Sequence, residues 1–262
     1  IGPYTLIFNE RVILWIITII GSSAIYFALK IEEVTPLNKA KREIFSIRKS
    51  YDWDMIFKAI SPLVLISIGA GLTIPFVNLF FNSVFGLSSS QYSLLGSFTA
   101  LLVFIFSLLV PSLRKKYGYW MTIVVVQSLA IFCLVLMAIM ELYAEFSFAF
   151  TVAIVAYILR QPLMHMAHPA SNELMMNYVG KKNQELISAI SSSLWSASWF
   201  FSAKIFEWLR LLEYKYFEIF LITALLYLLG VVLYAYLIRE HEQNQKKRLS
   251  RVLPIADELT ID

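Results

Sequence analysis

The chain has 262 residues, of which 59% are hydrophobic and 15% charged, with a formal net charge of +4 and a mean hydropathy of +0.69. That is more apolar surface than a soluble core of this length can hide, so the composition excludes an ordinary soluble domain and points to a membrane solvent. The single cysteine, Cys133, lies in an apolar run and leaves neither a disulfide framework nor a metal-type cysteine spacing. The first residue is Ile1 rather than Met, and no basic segment precedes a short apolar one, which reads as a fragment or processed chain with no secretory signal to subtract.

A hydrocarbon core of about 30 Å takes roughly 20 apolar residues in helix. On that measure seven spans follow in chain order, at 12–29, 56–81, 92–113, 120–140, 146–176, 186–206 and 217–238. Alternating segments of about ten residues, the mark of an outer-membrane barrel, are absent, so helices must satisfy the backbone in lipid. The expected fold is an all-α membrane protein, a polytopic helical bundle of seven transmembrane helices. Lys and Arg accumulate on the cytoplasmic side of membrane proteins. Here the connections 30–54, 114–116 and 181–182 and the tail from Arg239 hold sixteen, against two in the alternate connections. This bias puts the N-terminus outside and the C-terminus inside.

The longest connection, at 30–54, carries KAKREIFSIRKS, in which Ile44, Phe45 and Ile47 interrupt the charge. It reads either as a cytoplasmic linker with a short interfacial helix or as a plain solvated charge run. In the second span Gly69, Gly71 and Pro75 surround Asn78 and predict either a bent, locally unwound helix or a tight packing contact. In the sixth span Ser188, Ser192 and Ser196 recur every four residues, as do Ala189, Ser193 and Ala197, and such small stripes predict close helix packing, with substrate contact as the alternative. Lys204 is placed near the outer interface, within reach of Glu207. Trp120, Tyr92 and Trp208, close to span ends, read as interfacial anchors. After Arg239 the apolar content is lost, which predicts a mobile tail able to meet anionic lipid.

The fifth span is the unusual one. Its core reads RQPLMHMAHPASNE at 160–173, and Arg160, Gln161, His165, His168, Asn172 and Glu173 are expensive groups for hydrocarbon. At 31 residues the segment is about 46 Å long, and Pro162 and Pro169 predict a bend and freed carbonyls. Gln161, His165, His168 and Asn172 follow spacings of four, three and four and form one polar stripe. An ionised Arg160 costs about 2.5–3.5 kcal/mol on insertion scales, so it must find a polar cavity or an acceptor, with Asn78, Gln127 and the freed carbonyls as candidates. Two readings stand: a substrate or coupling-ion site, and an inter-helix hydrogen-bond network. A histidine that titrates near neutral pH makes His165 or His168 a candidate proton carrier, against the alternative of a neutral ring bonded to a carbonyl. Glu173 is expected to be wet or paired with a basic loop residue. No metal is expected, since HExxH, an ExxH repeat and a cysteine ligand are all absent, and no cofactor or nucleic-acid partner is expected either.

Three segments give a family resemblance. SIGAGLTIPFVNLFFNSVFGLSSSQ at 67–91 is similar to the seventh helix and following loop of a major facilitator superfamily transporter. PSLRKKYG at 111–118 resembles the short basic loop between its eighth and ninth helices, and RQPLMHMAHPASNELMMNYVGKKNQE from Arg160 resembles its tenth helix and next loop. The resemblance implies that 1–29 is the sixth helix, 30–55 the central cytoplasmic loop, 56–238 the six-helix C-terminal bundle and 239–262 a cytoplasmic tail. The N-terminal six-helix half would then be a missing partner. It implies secondary transport of a small organic solute by alternating access, with proton-coupled efflux as one form, in a bacterial inner (plasma) membrane. One departure stands out, for Lys115 occupies the place, three before Gly118, where the family loop carries an acid, so the charge-relay role of that acid does not carry over.

A seven-helix receptor or sensor shares this topology and is the alternative. Against it, no Asp/Glu-Arg-Tyr ends the third span, no Asn-Pro-x-x-Tyr lies in the seventh, and 217–238 holds no lysine for a retinal Schiff base. An enzyme is not expected, because the chain has no G-x-S-x-G, metalloprotease motif or glycine-rich phosphate loop.

Overall fold

A computed structural model describes residues 10–30 and 51–258. The chain divides into two compact units, Ile1–Ile47 and Arg48–Asp262. In the first, α1 (Glu10–Leu29) covers the first expected span, and its apolar stretch Leu14–Ala24 is shorter than the others. The expected interfacial helix near Ile44 lies outside the described residues.

The second unit holds α2 (Trp53–Thr73), a 3-10 turn (Ile74–Phe76), α3 (Val77–Phe85), α4 (Ser89–Tyr119) and a π turn (Trp120–Val125). It continues with α5 (Val126–Leu142), α6 (Ser147–Val179), a 3-10 turn (Lys181–Asn183), α7 (Gln184–Leu211) and α8 (Tyr216–Glu258). Among the described residues there is no strand. Four helices are long and apolar enough to cross a membrane: Trp53–Phe85, Ser89–Leu142, Ser147–Val179 and Tyr216–Lys247. The second of these, at 54 residues, would be about 81 Å long if straight. It contains two of the expected spans, and its direction changes at Gly118, whose φ of 74° and ψ of −171° suit only glycine. Helix α7, whose sequence carries many serines and four charged residues, is not among these long apolar helices.

Lipid tails are as apolar as leucine, so helices in a membrane associate through packing and hydrogen bonds rather than hydrophobic burial. The contacts of α2 follow this rule. Ser67 Oγ and Ser198 Oγ of α7 share a hydrogen bond at 2.9 Å, and Ser202 Oγ donates to the Ile68 carbonyl at 2.9 Å. A Cβ on Gly71 would stand 2.6 Å from the Ser202 Cβ, and one on Gly69 2.9 Å from the Tyr227 ring, so both glycines are close-approach positions. Unwinding is also present, because the 3-10 turn at Pro75 breaks the helix between α2 and α3. Thr73 Oγ1 donates to Thr223 Oγ1 of α8 at 3.0 Å. On the other side, Ala149, Ala153 and Ala156 are a buried small-residue face of α6, which packs on α5 and α4. The Glu141 carboxylate at the end of α5 accepts from the Phe217 N–H at the start of α8.

Three expectations are corrected. The serine stripe of α7 is not a close helix contact among the described residues: Ser188, Ser192, Ser193 and Ser196 are exposed, and close packing falls to the buried Ser198 and Ser202 round the helix. Tyr92 is not merely an anchor, since its hydroxyl shares a hydrogen bond with the Tyr157 hydroxyl at 3.1 Å. The segment after Arg239 is helical to Glu258, because EHEQNQKKRL is rich in strong helix formers and simply extends a helix already nucleated. Trp208 is exposed as expected, and Lys204 Nζ lies 2.8 Å from Glu207.

Candidate functional site

The polar residues of α6 gather at a cavity of about 260 Å3 enclosed by α2, α5, α6, α7 and α8. The helix runs through Pro162 and Pro169 without interruption, and Arg160 lies near the middle of its 33 residues. Arg160, Gln161, His165, His168 and Asn172 all line the cavity, and Gln127 joins them from α5. Leu63, Ile66 and Ala70 supply an apolar wall from α2, and Trp195 another from α7. Tyr227 and Tyr234 close it from α8.

Arg160 is only 1% exposed, the largest fully buried side chain among the described residues. Its one hydrogen bond is long, from Nη2 to the Tyr227 hydroxyl at 3.4 Å, with the guanidinium carbon 5.9 Å from that ring's centre. Nε and Nη1 have no partner, and neither has Gln127 Oε1. No Asp or Glu lines the cavity and none forms an ion pair with Arg160 among the described residues. A cation taken out of water normally recovers its hydration through a counter-charge and hydrogen bonds, so this one is conspicuously under-satisfied.

The stripe continues outward from Arg160. Gln161 Nε2 donates to the Tyr157 hydroxyl at 3.4 Å, Asn172 Nδ2 lies 3.3 Å from His168 Nδ1, and the His168 ring meets Trp195 edge-on at 5.9 Å. A second cavity of about 400 Å3 adjoins the first, sharing Leu63, His168, Asn172 and Trp195 and bordered by Ser191, Ser192 and Ser196 of α7. Thus the exposed Ser192 and Ser196 border a cavity rather than a helix contact.

Two candidates stand apart. Asn78 lies on α3 outside the cavity, with Oδ1 unpartnered. Glu173 accepts from the Tyr119 hydroxyl at 2.9 Å and pairs with Arg114 at 3.3 Å, so it is tied to the basic loop. The Arg114 guanidinium in turn lies 3.3 Å over the Tyr119 ring, and Asn177 Nδ2 donates to the Tyr119 hydroxyl at 2.9 Å.

The sequence model of the Major Facilitator Superfamily matches residues 1–203. The chain belongs to that superfamily. As a member of a family of membrane transporters it is an integral membrane protein. Comparison with curated proteins found no match, and comparison with solved structures found none. The matched part of this superfamily chain includes all of α6, while Tyr227 and Tyr234 lie beyond it.

Sequence reasoning missed those two tyrosines and Tyr157. A signal for the first pair existed: Phe220, Tyr227, Tyr234 and His241 repeat every seven residues and are all buried, marking one inward face of α8. Tyr157 stands four before Gln161 and extends the polar stripe by one turn.

Proposed function

We propose that the chain is the C-terminal half of a secondary transporter that moves a small organic solute through the Arg160 cavity by alternating access. On this reading all seven spans cross the membrane, with α2 and α3 forming one of them and α1 and α7 completing the set. Residues 1–29 are the sixth helix of the transporter, 30–55 the central cytoplasmic linker, 56–238 the C-terminal bundle and 239–262 a cytoplasmic tail. The bundle works against an N-terminal six-helix half in a bacterial plasma membrane, with the N-terminus of this chain outside. The distribution of sixteen basic residues against two supports that orientation.

The observation that carries the proposal is the cavity itself. A polar stripe that served only as glue would have its hydrogen bonds made by neighbouring helices, yet Arg160 and Gln127, both on the cavity wall, keep buried ones unmade. A solute bound there biases the inward and outward states only through its differential affinity for them. His165 and His168, on the same wall, are the proposed proton carriers for efflux.

The test uses the transporter formed with the N-terminal half and reconstituted in vesicles. His165→Gln and His168→Gln keep hydrogen-bonding capacity while removing titration near neutral pH. One of them is expected to abolish flux driven by a pH gradient while solute binding survives. Arg160→Lys is expected to fold and lose most of the flux, since an ammonium does not reproduce the planar five-donor fork. Wild-type flux in all three variants would mean that the stripe is structural.

A further inference from the structure

We infer that the solute is an organic anion, its carboxylate or similar oxyanion head held by Arg160 and its apolar body lying between α2 and α7. The inference rests on the transport reading above and adds the chemistry of the substrate. The guanidinium is sealed from water at 1% exposure, carries two nitrogens with no partner, and has a single long bond to a neutral hydroxyl. The cavity wall holds no carboxylate to neutralise it. His165 and His168, the other ionisable groups of α6 facing the space, add positive charge when protonated and never negative. Tyr227 and Tyr234, facing them from α8, are hydroxyl donors in their neutral form. A cation as solute would meet like charge in a low-dielectric wall, and a neutral solute would leave the guanidinium unpaired in the bound state. An oxyanion satisfies both, because Arg–carboxylate hydrogen bonds are charge-assisted and geometrically matched.

The rest of the cavity limits the body. Leu63, Ile66, Ala70, Met164 and Trp195 make its wall mainly apolar, and the volume of about 260 Å3 is below the roughly 300–1,000 Å3 usual for ligand pockets. A compact amphiphile of about the size of a substituted benzoate fits.

Three probes of one shape separate the alternatives: 4-butylbenzoate, the neutral 4-butylbenzamide and the cationic 4-butylbenzylamine. Binding is read by thermal shift of the reconstituted transporter in detergent, and flux in vesicles clamped at a fixed potential. The benzoate is expected to raise the melting temperature and the other two to leave it unchanged. Arg160→Gln should weaken benzoate binding about tenfold or more, the loss of one charge-assisted hydrogen bond. Met164→Trp, which fills the cavity while leaving Arg160 in place, should do the same and serves if Arg160→Gln does not fold. Equal or better binding of the amide or amine, benzoate binding indifferent to both substitutions, or no response to any probe overturns the inference. Flux separates the two levels. Movement of the amine by a protein blind to benzoate keeps the transporter and overturns the anion. Benzoate binding that depends on Arg160, with no flux of any probe, keeps the anion site and overturns the transport reading.

Discussion

At the scale of single residues the tightest constraint is steric. Gly71 has Ser202 Cβ at 2.6 Å and the Ser198 carbonyl oxygen at 3.1 Å from where its own Cβ would stand. Gly71→Ala therefore has to push α2 and α7 apart, and overpacking of this sort costs about 1–3 kcal/mol. A lower melting temperature in detergent is expected, with partial recovery in the Gly71→Ala, Ser202→Gly double variant, which returns the room but adds a glycine to a helix; an unchanged melting temperature for the single variant would contradict the packing described. The polar residues of α6 were legible from sequence because spacings of four, three and four can only put Gln161, His165, His168 and Asn172 on one face. Their partners were not. Whether Gln127 or Asn78 meets Arg160 depends on which helices adjoin α6, and that is decided by shapes such as the alanine face at Ala149, Ala153 and Ala156.

At the scale of elements the joint between α4 and α5 is decisive. Gly118 adopts φ 74° and ψ −171°, a region open essentially to glycine alone, and the turn is fixed by Thr122 Oγ1, which donates to the Gly118 carbonyl at 2.7 Å. Gly118→Ala is expected to cost on the order of 1–3 kcal/mol. It should also loosen the Arg114, Tyr119 and Glu173 cluster, visible as faster proteolysis near Lys115 and Lys116; native resistance would argue against strain at this point. The apolar runs were readable as helices from hydropathy, since each had to be helical in lipid, but the end of α8 was not, because the polar residues after Arg239 are strong helix formers that continue it to Glu258. Nor was the facing of α7. Its two small-residue stripes and its buried pair Ser198 and Ser202 are nearly equivalent in sequence, and only the close approach of Gly71 picks the second. Orientation has its own test. With Cys133 replaced, a cysteine at the exposed Ser89 is expected to react with an impermeant reagent from outside, and one at the exposed Lys182 only after permeabilisation. The reverse pattern would invert the topology.

For the molecule as a whole, the cavity is walled by α2, α5, α6, α7 and α8, and Ser192 and Ser196 beside it on α7 are exposed. A bundle in that condition is expected to insert when expressed alone but to show no flux above empty vesicles, and to recover flux when co-expressed with an N-terminal half; strong flux from the lone chain would remove the need for a second half. One helix gives the molecule a further property. At 43 residues α8 is about 65 Å long, against about 40–45 Å for a bilayer with its headgroups. It is a single helix that lines the cavity through Tyr227 and Tyr234 and continues to Glu258 without a break. From Tyr227 to Glu258 is about 46 Å, so a tilt of about 10° at the cavity swings the far end through roughly 8 Å. On the transport reading proposed above, α8 is the lever that couples the cavity to the tail, and a spin label at Lys247→Cys is expected to report solute binding as a change of distance.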